Sequence, residues 1–167
     1  ADDPSLTLDD AERRERGTEN GRSPNPARVV ADSRARTPTD ARVLGDEATT
    51  YVLTGADAPD ERVDALRAAG AEIVPTSSER VDLDAAVEQL EAAGIDRLMV
   101  EGGGELIFSL FSAGLVDELS VFVGSTIIGG RDAPTLADGD GFVEEFPELT
   151  LEDVERLDDG VVLTWSA

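Results

Sequence analysis

The chain has 167 residues, 37 of them acidic and 14 basic, for a formal net charge of −23. All 14 basic residues are arginine; with lysine, histidine and cysteine absent, thiol nucleophiles, imidazole proton shuttles, zinc fingers and disulfides are excluded. So acidic a surface repels a nucleic-acid backbone, and no apolar run approaches the roughly 20 residues that a membrane-spanning helix needs.

In chain order, Ala1 to Leu8 read as a turn at Asp3-Pro4 leading into a short extended segment. Residues 9 to 27 are polar and rich in charge, Gly and Pro, which predicts an exposed loop. Arg28 to Asp32 form a compact strand with a turn through Ser33 to Pro38, and Thr50 to Thr54 form a second strand ended by Gly55. Residues 59 to 69 have helical spacing, with Pro59 in the first turn and Gly70 as the stop. A strand at Ala71 to Val74 is closed by Pro75, and residues 82 to 93 form a helix with Leu83, Val87 and Leu90 on one face. Arg97 to Glu101 read as a further strand that runs through Gly102-Gly103-Gly104 into a helix from Glu105 to Ala113. Leu119 to Val123 is a strand, residues 124 to 141 a Gly-rich loop, and residues 149–157 and 161–165 a hairpin closed by Asp158-Asp159-Gly160.

Strand–helix alternation with short links predicts right-handed parallel crossovers. The expectation is an α/β fold with a mostly parallel mixed sheet, helices on both faces, and the C-terminal antiparallel hairpin added to one sheet edge. Apolar residues make up 40% of the chain and are well patterned, which argues for a folded protein beneath an acidic coat. Acidity with complete replacement of lysine by arginine points to a salt-rich cytoplasm, where a Debye length of about 3 Å screens the self-repulsion.

Three places have the composition of a binding site. Gly102-Gly103-Gly104 lie between a strand and a helix, where glycines permit close approach of a ligand and expose the N–H groups of a helix start to a phosphate; a tight turn without a ligand is the other reading. Glu101, at the carboxyl end of its strand, has the chemistry to accept hydrogen bonds from the amino groups of a heterocycle, or is a solvated acid. Ser33, Arg34 and Arg36 follow another strand end and offer a hydroxyl and two guanidiniums to an anion, or balance charge on a turn. Asp2 and Asp3 have no accompanying ligand cluster, so no metal site is expected.

Four ordered motifs together resemble one family: Ala1-Asp2-Asp3-Pro4-Ser5-Leu6-Thr7; Asn25 through Pro38; Val100-Glu101-Gly102-Gly103-Gly104; and Gly114 to Leu119 with Gly129-Gly130. The chain resembles the pyrimidine reductases of riboflavin biosynthesis, which have a dihydrofolate-reductase-like fold. The resemblance implies NADPH-dependent reduction of a ribosylaminopyrimidine 5′-phosphate to its ribitylamino form, in a homodimer. Without a zinc-deaminase domain, the chain is more similar to the stand-alone archaeal reductases, which act on the diaminopyrimidinone before deamination.

By motif, the resemblance makes Asp2 a cofactor contact and Leu6 a substrate contact. It places the NADPH ribose phosphate at Ser33, Arg34 and Arg36, and the pyrophosphate at Gly103, Gly104, Glu105 and Leu106. Glu101 becomes a substrate-binding carboxylate. Where some members carry a basic residue after the Leu-Thr pair, this chain has Asp9 and Asp10, so substrate-phosphate binding is not expected of that segment. The family has about fifty residues ahead of the first motif, and a single reductase domain lacking them is expected here. No acid–base residue is indicated. A different pterin or folate reductase of the same fold, and a non-catalytic nucleotide-binding module, are the competing readings.

Overall fold

The computed structural model describes residues 3–9, 12–13, 25–130, 133–143 and 146–167. The chain divides into two compact units, Ala1–Leu98 and Met99–Ala167.

The first unit is built on three parallel strands, β1 (Arg28–Ala31), β2 (Thr50–Thr54) and β3 (Glu72–Pro75), in the order β1-β2-β3. Helix α1 (Asp60–Ala68) joins β2 to β3, and α2 (Leu83–Ala92) follows β3. Because side chains alternate across a strand, consecutive residues of β2 serve opposite cores. Val52 packs with Ala35, Leu66 and Ala71 on the α1 side. Leu53 packs with Val74, Ala86 and Leu90 on the α2 side. Helices therefore cover both faces, as the alternation predicted. Each helix starts where expected: Pro59 precedes α1, and the Asp82 carboxylate caps α2 by accepting from Ala85 N at 3.1 Å.

The N-terminal segment is tied to this sheet by arginines. Arg28, 2% exposed, donates from its guanidinium to the carbonyls of Ser5 (3.2 Å), Ala48 (2.6 Å) and Gly45. Arg42 donates its backbone N–H to Asp3 Oδ1 at 3.0 Å. Just past these anchors Leu6 has φ +49°, a left-handed conformation that costs a bulky side chain energy.

The second unit holds α3 (Gly104–Ser112) and three antiparallel strands, β4 (Glu118–Val123), β5 (Thr150–Leu157) and β6 (Gly160–Ser166), in the order β4-β6-β5. The hairpin closes through Asp158 and Asp159 as expected, with Asp158 at φ +51°.

Three expectations need correction. The hairpin pairs with β4, not with an edge of the parallel sheet, because β6 lies between β4 and β5 and takes ladder bonds from both. Arg97 to Glu101 form no strand: a strand is defined by a ladder, and no ladder among the described residues runs through this segment. The segment from 9 to 27 is not uniformly an exposed loop. Asp9 and Glu12 exchange side chain-to-backbone hydrogen bonds of 3.0 and 2.9 Å in a reciprocal cap, with Glu12 and Arg13 helical. Asn25, 4% exposed, is buried because its amide donates to Glu47 O at 3.1 Å. Most of that segment, with Asp2 and Asp10, lies outside the described residues.

Candidate functional site

In the first unit, the carboxyl ends of β1, β2 and β3 gather three loops, the position at which open α/β sheets bind ligands. The turn after β1 is the most heavily organised. Asp32, 8% exposed, accepts from Thr37 N at 2.6 Å and from the Thr37 hydroxyl at 2.7 Å. Burial pushes its carboxyl upward, but hydrogen bonds from the Thr37 hydroxyl and the N–H groups of Arg36, Thr37 and Arg34 outweigh it and hold Asp32 below its ordinary value. Ala35 takes φ +51° and drops its methyl into the core beside Val52 and Leu66. From α1, Arg62 donates to Ala35 O at 3.0 Å and Thr37 O at 2.9 Å.

The effect of this scaffolding is to turn Arg34 and Arg36 outward. Arg34 lies 3.6 Å from Glu79, and Arg36 lies 4.0 Å from Asp32, with both guanidiniums largely exposed. Exposed pairs at these distances hold a guanidinium weakly, so its donors remain open to an anion. Ser33 Oγ accepts from Val81 N at 3.0 Å, which leaves its hydroxyl proton to donate.

In the second unit, Gly103 is the N-terminal cap of α3 with φ +91° and ψ +93°, a conformation closed to L side chains. Among the described residues, nothing lies within 4 Å of where a side chain of Gly102 would begin, and at Gly103 only Leu106 Cβ does, at 3.6 Å. Glu105 and Leu106 follow in the first turn of α3, and Glu101 is exposed just ahead of the glycines. Gly104 differs from its neighbours. A Cβ there would collide with the Asp138 carboxylate, whose backbone N–H donates to Gly104 O at 3.0 Å. An anion therefore has open backbone at Gly102 and Gly103, but not beside Gly104.

Thus Ser33, Arg34 and Arg36 share one turn of the first unit, while Glu101, Gly103, Gly104, Glu105 and Leu106 share one strand-to-helix junction of the second. Leu6 lies on the anchored N-terminal segment. Sequence reading missed Asp32, Arg62, Glu79 and Asp138, all of which act on these positions; an Asp at a strand end followed by Thr-Pro was the available signal for the first. Among the described residues there is no cluster that could hold a metal and no helix long and apolar enough to cross a membrane. A shallow depression lined by Val123, Arg156 and Gly160 at the β5–β6 turn contains none of the candidate residues.

The sequence matches the family described as RibD C-terminal domain over residues 1–163. This chain belongs to that family. It is 47% identical over 164 residues to the 2,5-diamino-6-ribosylamino-4(3H)-pyrimidinone 5′-phosphate reductase of Archaeoglobus fulgidus, covering 98% of this chain and 73% of the relative. Identity to the reductase of the same name from Methanothermobacter thermautotrophicus is 46% over 152 residues, covering 91% and 67%. Among solved structures, a pyrimidine reductase-like protein from Corynebacterium diphtheriae aligns with a TM-score of 0.78 at 20% identity, over 96% of this chain and 68% of the other. The deaminase/reductase of Thermotoga maritima gives 0.71 at 21% identity, over 99% and 41%. These structures share the fold of this RibD C-terminal domain; the relatives are named reductases, and the chain is an oxidoreductase domain of their family.

Proposed function

We propose that this domain catalyses NADPH-dependent reduction of the ribosyl group of a diaminopyrimidinone ribosylamino 5′-phosphate to ribityl, before the ring is deaminated. The observation that carries this reading is 47% identity, over 98% of the chain, to a reductase named for that substrate. The residues present fit the cofactor. Two outward guanidiniums on a turn held by Asp32 and Arg62 suit a ribose 2′-phosphate. Open backbone at Gly102 and Gly103 suits a pyrophosphate at the start of α3.

When bound, NADPH supplies the hydride that reduces the sugar carbon. The protein's part is placement: Ser33, Arg34 and Arg36 hold the 2′-phosphate, and the pyrophosphate lies on Gly102 and Gly103 with Glu105 and Leu106 of the first turn of α3, while Gly104, covered by Asp138, is left out of the contact; Asp2 is a further cofactor contact. Glu101 accepts from the amino groups of the pyrimidine, and the strained Leu6 bears on the substrate. Such a reaction relies on positioning and exclusion of water more than on acid–base side chains. That suits a chain with no His, Lys or Cys.

The domain is read as one reductase domain of a homodimer from the salt-rich cytoplasm of an archaeon. The charge of −23 supports the salt, and exposed Phe122, Leu151 and Val154 on the second unit's sheet support a covered apolar surface.

The test is oxidation of NADPH in molar KCl with the ribosylamino phosphate as acceptor. Turnover is expected, and Arg34→Ala or Arg36→Ala, each made singly, should weaken NADPH about ten- to a hundredfold and NADH far less, one charge-assisted phosphate contact contributing about 1.5–3 kcal/mol. Reduction of a pterin in place of the phosphate would move the enzyme to another substrate class. NADPH binding with no reduction of either would make it a binding module.

A further inference from the structure

We propose that Glu79 sets the discrimination between a 2′-phosphate and a 2′-hydroxyl on the adenosine ribose of the cofactor; the inference rests on reading Ser33, Arg34 and Arg36 as the phosphate contacts. The segment after β3 is joined to the turns after β1 and β2 by contacts that do not involve the Glu79 side chain. Val81 N–H donates to Ser33 Oγ at 3.0 Å, and Ala56 N–H donates to Ser78 O at 2.8 Å. Gly55 packs so closely on this segment that a Cβ would collide with the backbone oxygens of Ser78 and Glu79. The Glu79 backbone is thus fixed against the loops that present Ser33 and Arg34.

From that position its carboxylate lies 3.6 Å from the Arg34 guanidinium, with 68% and 67% of the two side chains exposed. An ion pair this exposed contributes little to the fold, so stability does not account for it. Its chemistry is more informative. A carboxylate only accepts, so it welcomes a ribose 2′-hydroxyl and repels a 2′-phosphate, whereas a guanidinium prefers the phosphate. Two groups of opposite preference stand side by side at the carboxyl ends of parallel strands. A phosphate taken by Arg34 must first part it from Glu79 and then sit beside the remaining charge. Glu79 therefore restrains the preference for NADPH that Arg34 and Arg36 create.

The experiment titrates the chain with adenosine 2′,5′-bisphosphate and with adenosine 5′-monophosphate, probes that differ only in the 2′-phosphate, before and after Glu79→Gln. This exposed, near-isosteric change should leave the melting temperature unaltered. The bisphosphate is expected to bind about three- to tenfold tighter to the variant, with the monophosphate unchanged or weaker. A ratio equal to wild type would overturn the role of Glu79 while leaving the phosphate site standing. Equal tightening of both probes would assign the effect to the 5′-phosphate and overturn it too. If wild type itself binds both probes equally, the phosphate reading of Ser33, Arg34 and Arg36 falls and Glu79 falls with it.

Discussion

Asp32 shows how one carboxyl organises a turn against its own desolvation. Burial raises its proton affinity, and the Thr37 hydroxyl with the N–H groups of residues 34, 36 and 37 lowers it further than burial raises it. With the folded value depressed below the ordinary 3.8, ionised Asp32 stabilises the fold above that pH. The contribution is lost as pH falls through the folded value. Chemical denaturation of wild type and Asp32→Asn at constant ionic strength should therefore show a stability gap at neutral pH that narrows as pH falls below 3.8 towards the depressed folded value. A gap as wide in acid as at neutrality would show that the Asp32 charge is not what holds the turn.

Among the elements, the start of α3 is where backbone geometry decides most. Gly103 at φ +91° and ψ +93° cannot be replaced without strain, so Gly103→Ala should destabilise the domain by about 1–3 kcal/mol in chemical denaturation. An alanine variant as stable as wild type would mean that this turn relaxes freely. The same glycines were legible from sequence because Gly-Gly-Gly between apolar runs has few other readings. So were β1, β2, β3 and the three helices, whose periodicity and end residues are local signals. Arg97 to Glu101 had equally good local alternation and form no strand, since pairing depends on a distant partner that alternation does not specify. Asn25 was misjudged for a related reason: it is tied down by a carbonyl about twenty residues away. At the site, the motif residues were readable, but Arg62, Glu79 and Asp138 approach them from other segments and carry no sequence mark.

On the scale of the whole molecule, every fully buried residue among those described belongs to the first unit. The second unit leaves Met99, Ile127, Ile128 and Val143 more than four-fifths exposed. A charge of −23 over so modest a core opposes compaction unless it is screened. The melting temperature should rise steeply from low to molar KCl as the Debye length shrinks to about 3 Å. A melting curve indifferent to KCl over that range would remove the argument for salt adaptation.

The guanidinium of Arg28 joins partners that are far apart in the chain, with Ser5 on one side and Gly45 and Ala48 on the other. Removing any one carbonyl leaves a buried cation short of an acceptor, at a cost far above that of an ordinary lost contact. The segment bearing Leu6 and the sheet bearing the Ser33 turn are therefore energetically linked, and linkage is reciprocal. Whatever grips the N-terminal segment also tightens the β1–β2 pair, and whatever loosens that pair is felt as weaker grip at Leu6.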